Sequence, residues 1–305
     1  MNIINLQIQI FLLMLIGYIL AKKNIIDIQV REKITKMIMS VILPCAIIKS
    51  FNIALTIDII ESTFMVLIIS IGIQLLYYLL NNVLYKKMDE EKKIICKYGT
   101  MVSNAGFMGM PIAECVFGSQ GLLYASIFLM PQRICMCSFG LTMFDRSSTK
   151  KNIIKKVLLH PCIVSIFIGI FIMTLKFNGY ELPTAVISTI NSMANCNTAL
   201  SMIVIGAVLS EINLKGIFEK EICIYSLNRL ILLPILIWAI LYITGIKGLT
   251  ANVCILLSAM PAASTTVMLS QEYNINPKFS SKIVFVSTVF SLITLPIIVS
   301  TLSYL

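Results

Sequence analysis

SNAGFMGMPIAECVFG, residues 103–118, lies inside a long apolar run. Gly106, Gly109 and Pro111 fall within eight residues, and glycine and proline are about 1 and about 3 kcal/mol worse than alanine in a helix. The stretch reads as a membrane-spanning helix interrupted at a fixed place, with Asn104 beside the interruption.

The rest of the chain supports a membrane setting. Hydrophobic residues make up 58% of the 305 residues and charged ones 12%, and the mean hydropathy is +0.93. Soluble domains are nearer half apolar and a quarter charged. A span takes ~20 mainly apolar residues, so the chain has room for about ten, with no soluble domain beside them. The apolar runs place spans at 6–22, 34–51, 58–82, 94–116, 120–144, 157–175, 184–210, 218–243, 250–270 and 281–303. Lys22 and Lys23 follow the first span and no basic stretch precedes it, so it reads as an anchor and not a cleaved signal.

The net charge of +10 reads as topogenic, not as a nucleic-acid footprint. Of the 24 Lys and Arg residues, nineteen fall in odd-numbered connections and three (Lys49, Lys176, Lys247) on the other side. That bias puts both termini outside, in a multi-pass protein of the plasma membrane. The nine cysteines lie mostly in apolar segments without paired spacing and read as small buried hydrophobes. Cys135 and Cys137, two apart on a helix, face different ways. His160 precedes Pro161, has no second histidine to make a zinc site, and reads as a helix-start residue.

The chain also reads as doubled. Five spans in 1–144 precede the basic linker DRSSTKKNIIKK, 145–156, and five follow it in 157–305. Pro111 in the fourth span and Pro261 in the ninth each interrupt an apolar run after a serine (Ser103, Ser258). An odd number of spans per half turns the halves into an inverted repeat, an arrangement of many secondary transporters. Unpaired backbone in hydrocarbon costs several kcal/mol, so a break belongs in protein or beside water. A proline suits the first position of a helix, and we expect Pro111 and Pro261 to open the second halves of their helices. Two half-helix N-termini, each carrying roughly +0.5 of a charge, then converge near the midplane as an anion site. The carbonyl ends of the first halves can hold Na⁺ instead. Simple bending of packed helices is the competing use.

Asn104-x-Gly106-x-x-Gly109-x-Pro111 followed by Phe117-Gly118 resembles the signature of the auxin efflux carrier family, whose members include bacterial permeases. The resemblance extends over nearly the whole chain: Gly17-Tyr18, ILP at 42–44, Gly206-Ala207 with Leu209, Leu233-Pro234, and AMPAAS at 259–264 with Gln271-Glu272-Tyr273. It implies an all-α fold of ten helices in two inverted five-helix repeats, similar to the sodium–bile-acid symporters, with the fourth and ninth spans crossing. It also implies substrates such as auxin or small carboxylates (malate, malonate). The short basic linker and Gly-Met-Pro, where many plant members have Asn-Pro, depart from the plant carriers.

Ionisable and polar side chains inside spans are functional candidates by default. Arg133 in the fifth span and Arg229 in the eighth each offer five donors suited to a carboxylate. A fixed structural pairing is the other use of either. Lys49 and Glu114 sit at similar depth and can pair, as a coupling element or as a surface-layer salt bridge. Ser188, Asn191, Asn195 and Thr198 share one helical face, fit to line a wet cavity or to bond between helices. Gln74 has the same two uses, while Ser264 and Thr265 follow Pro261 where a half-helix begins.

The reading is a secondary carrier for a small organic anion, working by alternating access with no cofactor. The anion and the bilayer are its partners, no nucleic acid is expected, and a homodimer is compatible with it. H⁺ or Na⁺ coupling is possible, but no acid follows the ninth-span break before Glu272, which weakens a full sodium site and leaves protons, membrane potential or plain uniport open. The chain lacks G-x-x-x-x-G-K-[ST] for ATP and H-E-x-x-H for hydrolysis, so it is read as no enzyme. A transporter-fold sensor or scaffold that moves nothing is the alternative.

Overall fold

The computed structural model describes residues 3–53, 56–136, 138, 141–144, 158–210 and 219–302. Cys137, the linker 145–156 and Lys215 lie outside the described residues. Among the described residues the chain is helical, and the nearest thing to a strand is one isolated bridge. The elements are α1 (Ile3–Lys22), α2 (Ile28–Met37), α3 (Leu43–Ser50), α4 (Ile57–Leu84), α5 (Glu90–Met101), α6 (Met110–Cys135) and α7 (Leu141–Phe144). After the linker come α8 (Pro161–Phe177), α9 (Thr184–Ser210), α10 (Lys220–Leu227), α11 (Leu233–Ile243), α12 (Gly248–Ser258), α13 (Thr265–Glu272) and α14 (Pro277–Leu302).

The apolar runs expected to span are mainly helical where they are described, with non-helical gaps inside the fourth and ninth. Among the described residues, five helical runs are long and apolar enough to cross a membrane: Ile57–Leu84, Ala105–Cys135, Thr184–Ser210, Lys220–Ile243 and Pro277–Leu302. Helix α4 carries Ile68, Leu75, Leu79 and Val83 exposed, as a lipid-facing surface does. The run Ala105–Cys135 is two helices, because Gly118 has φ 69° and ψ −161°, a conformation open to glycine. A Cβ on Gly121 would lie 2.7 Å from the Ala113 carbonyl oxygen. In a straight helix, residues eight apart are separated by ~12 Å, so the chain folds back at Gly118. His160 starts α8 as its N-cap, its ring accepting from the Cys162 N–H at 3.3 Å.

Three π-helical turns, Ile38–Ile42, Ala105–Gly109 and Asn228–Leu232, each end two residues before a proline: Pro44, Pro111 and Pro234. A proline ring inside an α-helix collides with the carbonyl four residues back and removes a donor. Widening the preceding turn to π relieves the collision while the helix continues. The Leu43 and Leu233 N–H groups accordingly bond back five residues, to the carbonyls of Ile38 and Asn228.

The chain forms two compact units that interleave in sequence. Unit 1 comprises residues 1–64, 107–127 and 159–213. In it α9 packs on α1, α2 and α3, and α8 packs on α3. Contact between α1 and α9 is made backbone to backbone: Gly17 lies against the Ile203 carbonyl and Gly206 against the Met14 carbonyl. A Cβ on either glycine would come within about 2 Å of that oxygen, so the pair works as the small-residue contact of membrane helices. Unit 2 comprises residues 65–106, 128–158 and 214–305, and joins α5, α10, α11, α12, α13 and α14 with most of α4.

Candidate functional site

Unit 2 holds the two interruptions. Helix α5 ends at Met101, Val102 is extended, and helical structure resumes at Ala105. Helix α12 ends at Ser258, residues 259–264 are unwound, and α13 starts at Thr265. Neither proline opens a half-helix, contrary to the expectation above. Pro111 lies six residues into the resumed helix, accommodated by the π turn, and Pro261 lies inside the unwound stretch. Ser264 occupies the position before α13 with an exposed side chain that makes no cap hydrogen bond.

The two gaps bond to each other. Ser103 and Ala262 form an antiparallel bridge, the Asn104 N–H donates to the Pro261 carbonyl at 2.8 Å, and the Ala263 N–H donates to the Val102 carbonyl at 3.3 Å. Side chains satisfy further groups, as buried backbone requires. The Gln132 amide donates to the Ser103 carbonyl at 2.8 Å and accepts from the Ser103 hydroxyl at 3.1 Å, while the Ala262 N–H donates to Ser287 Oγ at 3.3 Å. Gln132 and Ser287 were not singled out from sequence. A glutamine beside an intramembrane arginine was the available signal for the first; a serine in an apolar helix gives none. Tyr98 from α5 donates its hydroxyl to Thr265 Oγ1 at 3.2 Å.

Both buried arginines belong to this unit, at opposite helix ends. Arg229, 1% exposed, donates from Nε to the Met260 carbonyl at 3.0 Å, just past the C-terminal end of α12. Its guanidinium also lies over the Tyr77 ring, 5.1 Å from the centroid. Arg133, 9% exposed, reaches the start of the resumed fourth-segment helix: a Cβ on Gly106 would lie 2.5 Å from Arg133 Nη2. Among the described residues its Nε has no partner, and Nη1 meets the Met136 sulfur at 4.0 Å. Among the described residues neither arginine has a carboxylate within salt-bridge distance. A cation at a helix C-terminus is complemented by the dipole, but a cation at an N-terminus adds to roughly +0.5 of like charge. Arg133 thus sits in an electropositive corner with donor capacity unused. Asn104, whose N–H bonds across the gap, is half-buried beside it. Gln74 is buried in the same unit, its carbonyl oxygen unpartnered.

The remaining candidates belong to unit 1. Lys49 Nζ lies 3.7 Å from Glu114 and donates to Asn195 Oδ1 at 2.9 Å, so the expected ion pair is present. Asn191 lines a cleft of about 100 Å³ with Lys49, Asn52, Lys176, Tyr180 and Glu181. Of the expected polar stripe, Asn195 is exposed and Asn191 half-buried. The amide buried deepest on α9 is Asn197. Gly109 and Pro111 stand in this unit's part of the resumed helix. No cluster of three metal-ligating side chains occurs among the described residues.

A polytopic helical chain with two interrupted helices bonded at their gaps has the build of a membrane carrier. Residues 2–299 match the membrane transport protein family, and the chain belongs to that family, the one that contains the auxin efflux carriers. It is 25% identical over 296 residues to an uncharacterized transporter of Methanocaldococcus jannaschii, covering 94% of each chain. It is 22% identical over 200 residues, 63% of this chain and 61% of the relative, to a candidate malonate transporter of Rhizobium meliloti. It is 28% identical over 129 residues to auxin efflux carrier component 8 of Arabidopsis thaliana, covering 42% of this chain and 35% of that one.

Proposed function

We propose that the protein is a secondary carrier of a small organic anion, with a carboxylate bound in unit 2 at the paired interruptions of the fourth and ninth segments. The observation that carries this reading is Arg133: a guanidinium nine-tenths buried, without a carboxylate partner among the described residues, at the positive end of an interrupted helix. Leaving a buried charge unpaired costs several kcal/mol. A carboxylate beside Gly106 would remove that cost, take two donors from the guanidinium and meet the amide of Asn104. Small dicarboxylates of the malonate type suit the site; one carboxylate takes Arg133, and the second needs only the donors of the open helix start.

Ten spans in two inverted repeats, 1–144 and 157–305, with both termini outside the plasma membrane, complete the reading. Unit 2 is the part that carries the anion during alternating access. Calorimetric titration of the purified protein with a panel of small carboxylates, malonate included, tests it. We expect a carboxylate to bind, and Arg133→Gln to weaken it at least ~30-fold, the cost of truncating one partner of a buried charged pair. Equal affinity in the two proteins, or no binding across the panel, refutes the proposal.

A further inference from the structure

Arg229 differs from Arg133 in its helix end and in its partner. The carbonyl end of an interrupted membrane helix, roughly −0.5 of a charge, is where secondary transporters hold a coupling cation. In this chain a protein cation already stands there. Arg229 Nε donates to the carbonyl of Met260, two residues past the end of α12, and the residue is 99% buried (1% exposed). The Met260 carbonyl can only accept, so it suits a cation and not an anion. Among the described residues the hydroxyls of Tyr225 and Ser226 are buried without partners, and Nη1 of Arg229 is unpartnered as well. Tyr225 and Ser226 precede Arg229 by four and three residues and share its side of the helix. Tyr77 underlies the guanidinium, and Tyr85 stacks near Tyr225, their ring centroids 6.2 Å apart.

We propose that Arg229 is the resident cation of the ninth-segment interruption, standing where a coupling alkali ion would sit, so that anion binding at Arg133 requires no Na⁺. Arg229 is a positioning residue in this scheme. It neutralises the carbonyl end of α12 and fixes the unwound stretch 259–264, whose carbonyl and N–H groups hold the gap beside Arg133. An ammonium or guanidinium cannot leave with the substrate, so the charge stays with the protein through the cycle.

The consequence for the anion site rests on the function proposed above, while the cation claim can be read without any anion. The full chain, purified without carboxylate, is melted in sodium chloride and in choline chloride at equal ionic strength. The wild type should give the same Tm in both. Arg229→Ala leaves the Met260 carbonyl facing an emptied position, and its Tm should be lower in choline and rise with Na⁺ dose. Arg229→Lys keeps a fixed cation and should be as indifferent to Na⁺ as the wild type. A merely structural arginine would lower Tm on removal without any Na⁺-specific recovery. A Na⁺-dependent Tm in the wild type or in Arg229→Lys overturns the proposal, as does an Arg229→Ala protein that folds and ignores Na⁺. If Arg229→Ala does not fold, the wild-type and lysine proteins decide. In the second arm, malonate affinity of the wild type is measured in both salts. A coupled ion changes affinity by about 5- to 150-fold; we expect less than about twofold. Absence of malonate binding would tell against the anion reading alone, leaving the melting experiment to judge Arg229.

Discussion

Gly106→Ala separates a binding role for Arg133 from a packing role. The added Cβ would lie 2.5 Å from Arg133 Nη2 and 3.8 Å from a methyl carbon of Leu129. Ordinary contact needs about 1 Å more, and the atom in the way ends a flexible side chain, so the guanidinium retreats while the backbone stays. Replacing glycine by alanine also favours the helix by roughly 0.5–1 kcal/mol, which offsets the cost of that rearrangement. For an anion held at the helix start, a retreat from ~3 to ~4 Å at an effective dielectric of ~20 loses about 1.4 kcal/mol. That is about tenfold in Kd. Titration calorimetry with malonate on the purified variant, beside a melting curve, reads both quantities. The expected result is an affinity about tenfold weaker with a nearly unchanged Tm. Wild-type affinity in a well-folded Gly106→Ala protein would refute the placement of the anion beside Gly106.

Other substitutions test the frame around the site. Gly17→Ala and Gly206→Ala press a methyl into a backbone carbonyl and should each cost about 3 kcal/mol as overpacking, seen as a lower Tm with unaltered malonate affinity in the remaining folded protein. Gln132→Ala strips two hydrogen bonds from Ser103 and should destabilise by about 1–3 kcal/mol, measured by chemical or thermal unfolding. Glu114→Gln removes the partner of a partly exposed Lys49; its effect on stability should stay within about 1 kcal/mol and shrink further in high salt.

The helices were legible because their signal is strong: apolar runs of spanning length bounded by charge or by Gly and Pro. Helix α9, Thr184–Ser210, coincides with the expected span, and α4 and α14 differ from theirs by a few residues at each end. The interruptions were found but set too late in the fourth segment. Proline suits the start of a half-helix, which is how Pro111 reads locally, whereas a π turn lets the helix run through it. Gly106 looked like a breaker and instead makes room for Arg133. That distinction depends on which side chain approaches, which no local spacing encodes. The two arginines looked alike in sequence, and only the helix end each reaches separates them. Gln132, Ser287 and Asn197 escaped notice for the same reason: a polar residue in an apolar run shows that it needs a partner but not which one. Gly17 and Gly206, which entered only through the family resemblance, turn out to be contact points between α1 and α9.

Uptake of labelled malonate into liposomes carrying the wild-type chain, or Arg133→Gln at equal protein density, bears most directly on whether the buried Arg133 guanidinium at an interrupted helix carries the substrate. Saturable uptake by the wild type and its loss in Arg133→Gln, with Arg133→Lys retaining part, is the predicted result. Undiminished uptake by a correctly inserted Arg133→Gln protein would contradict it.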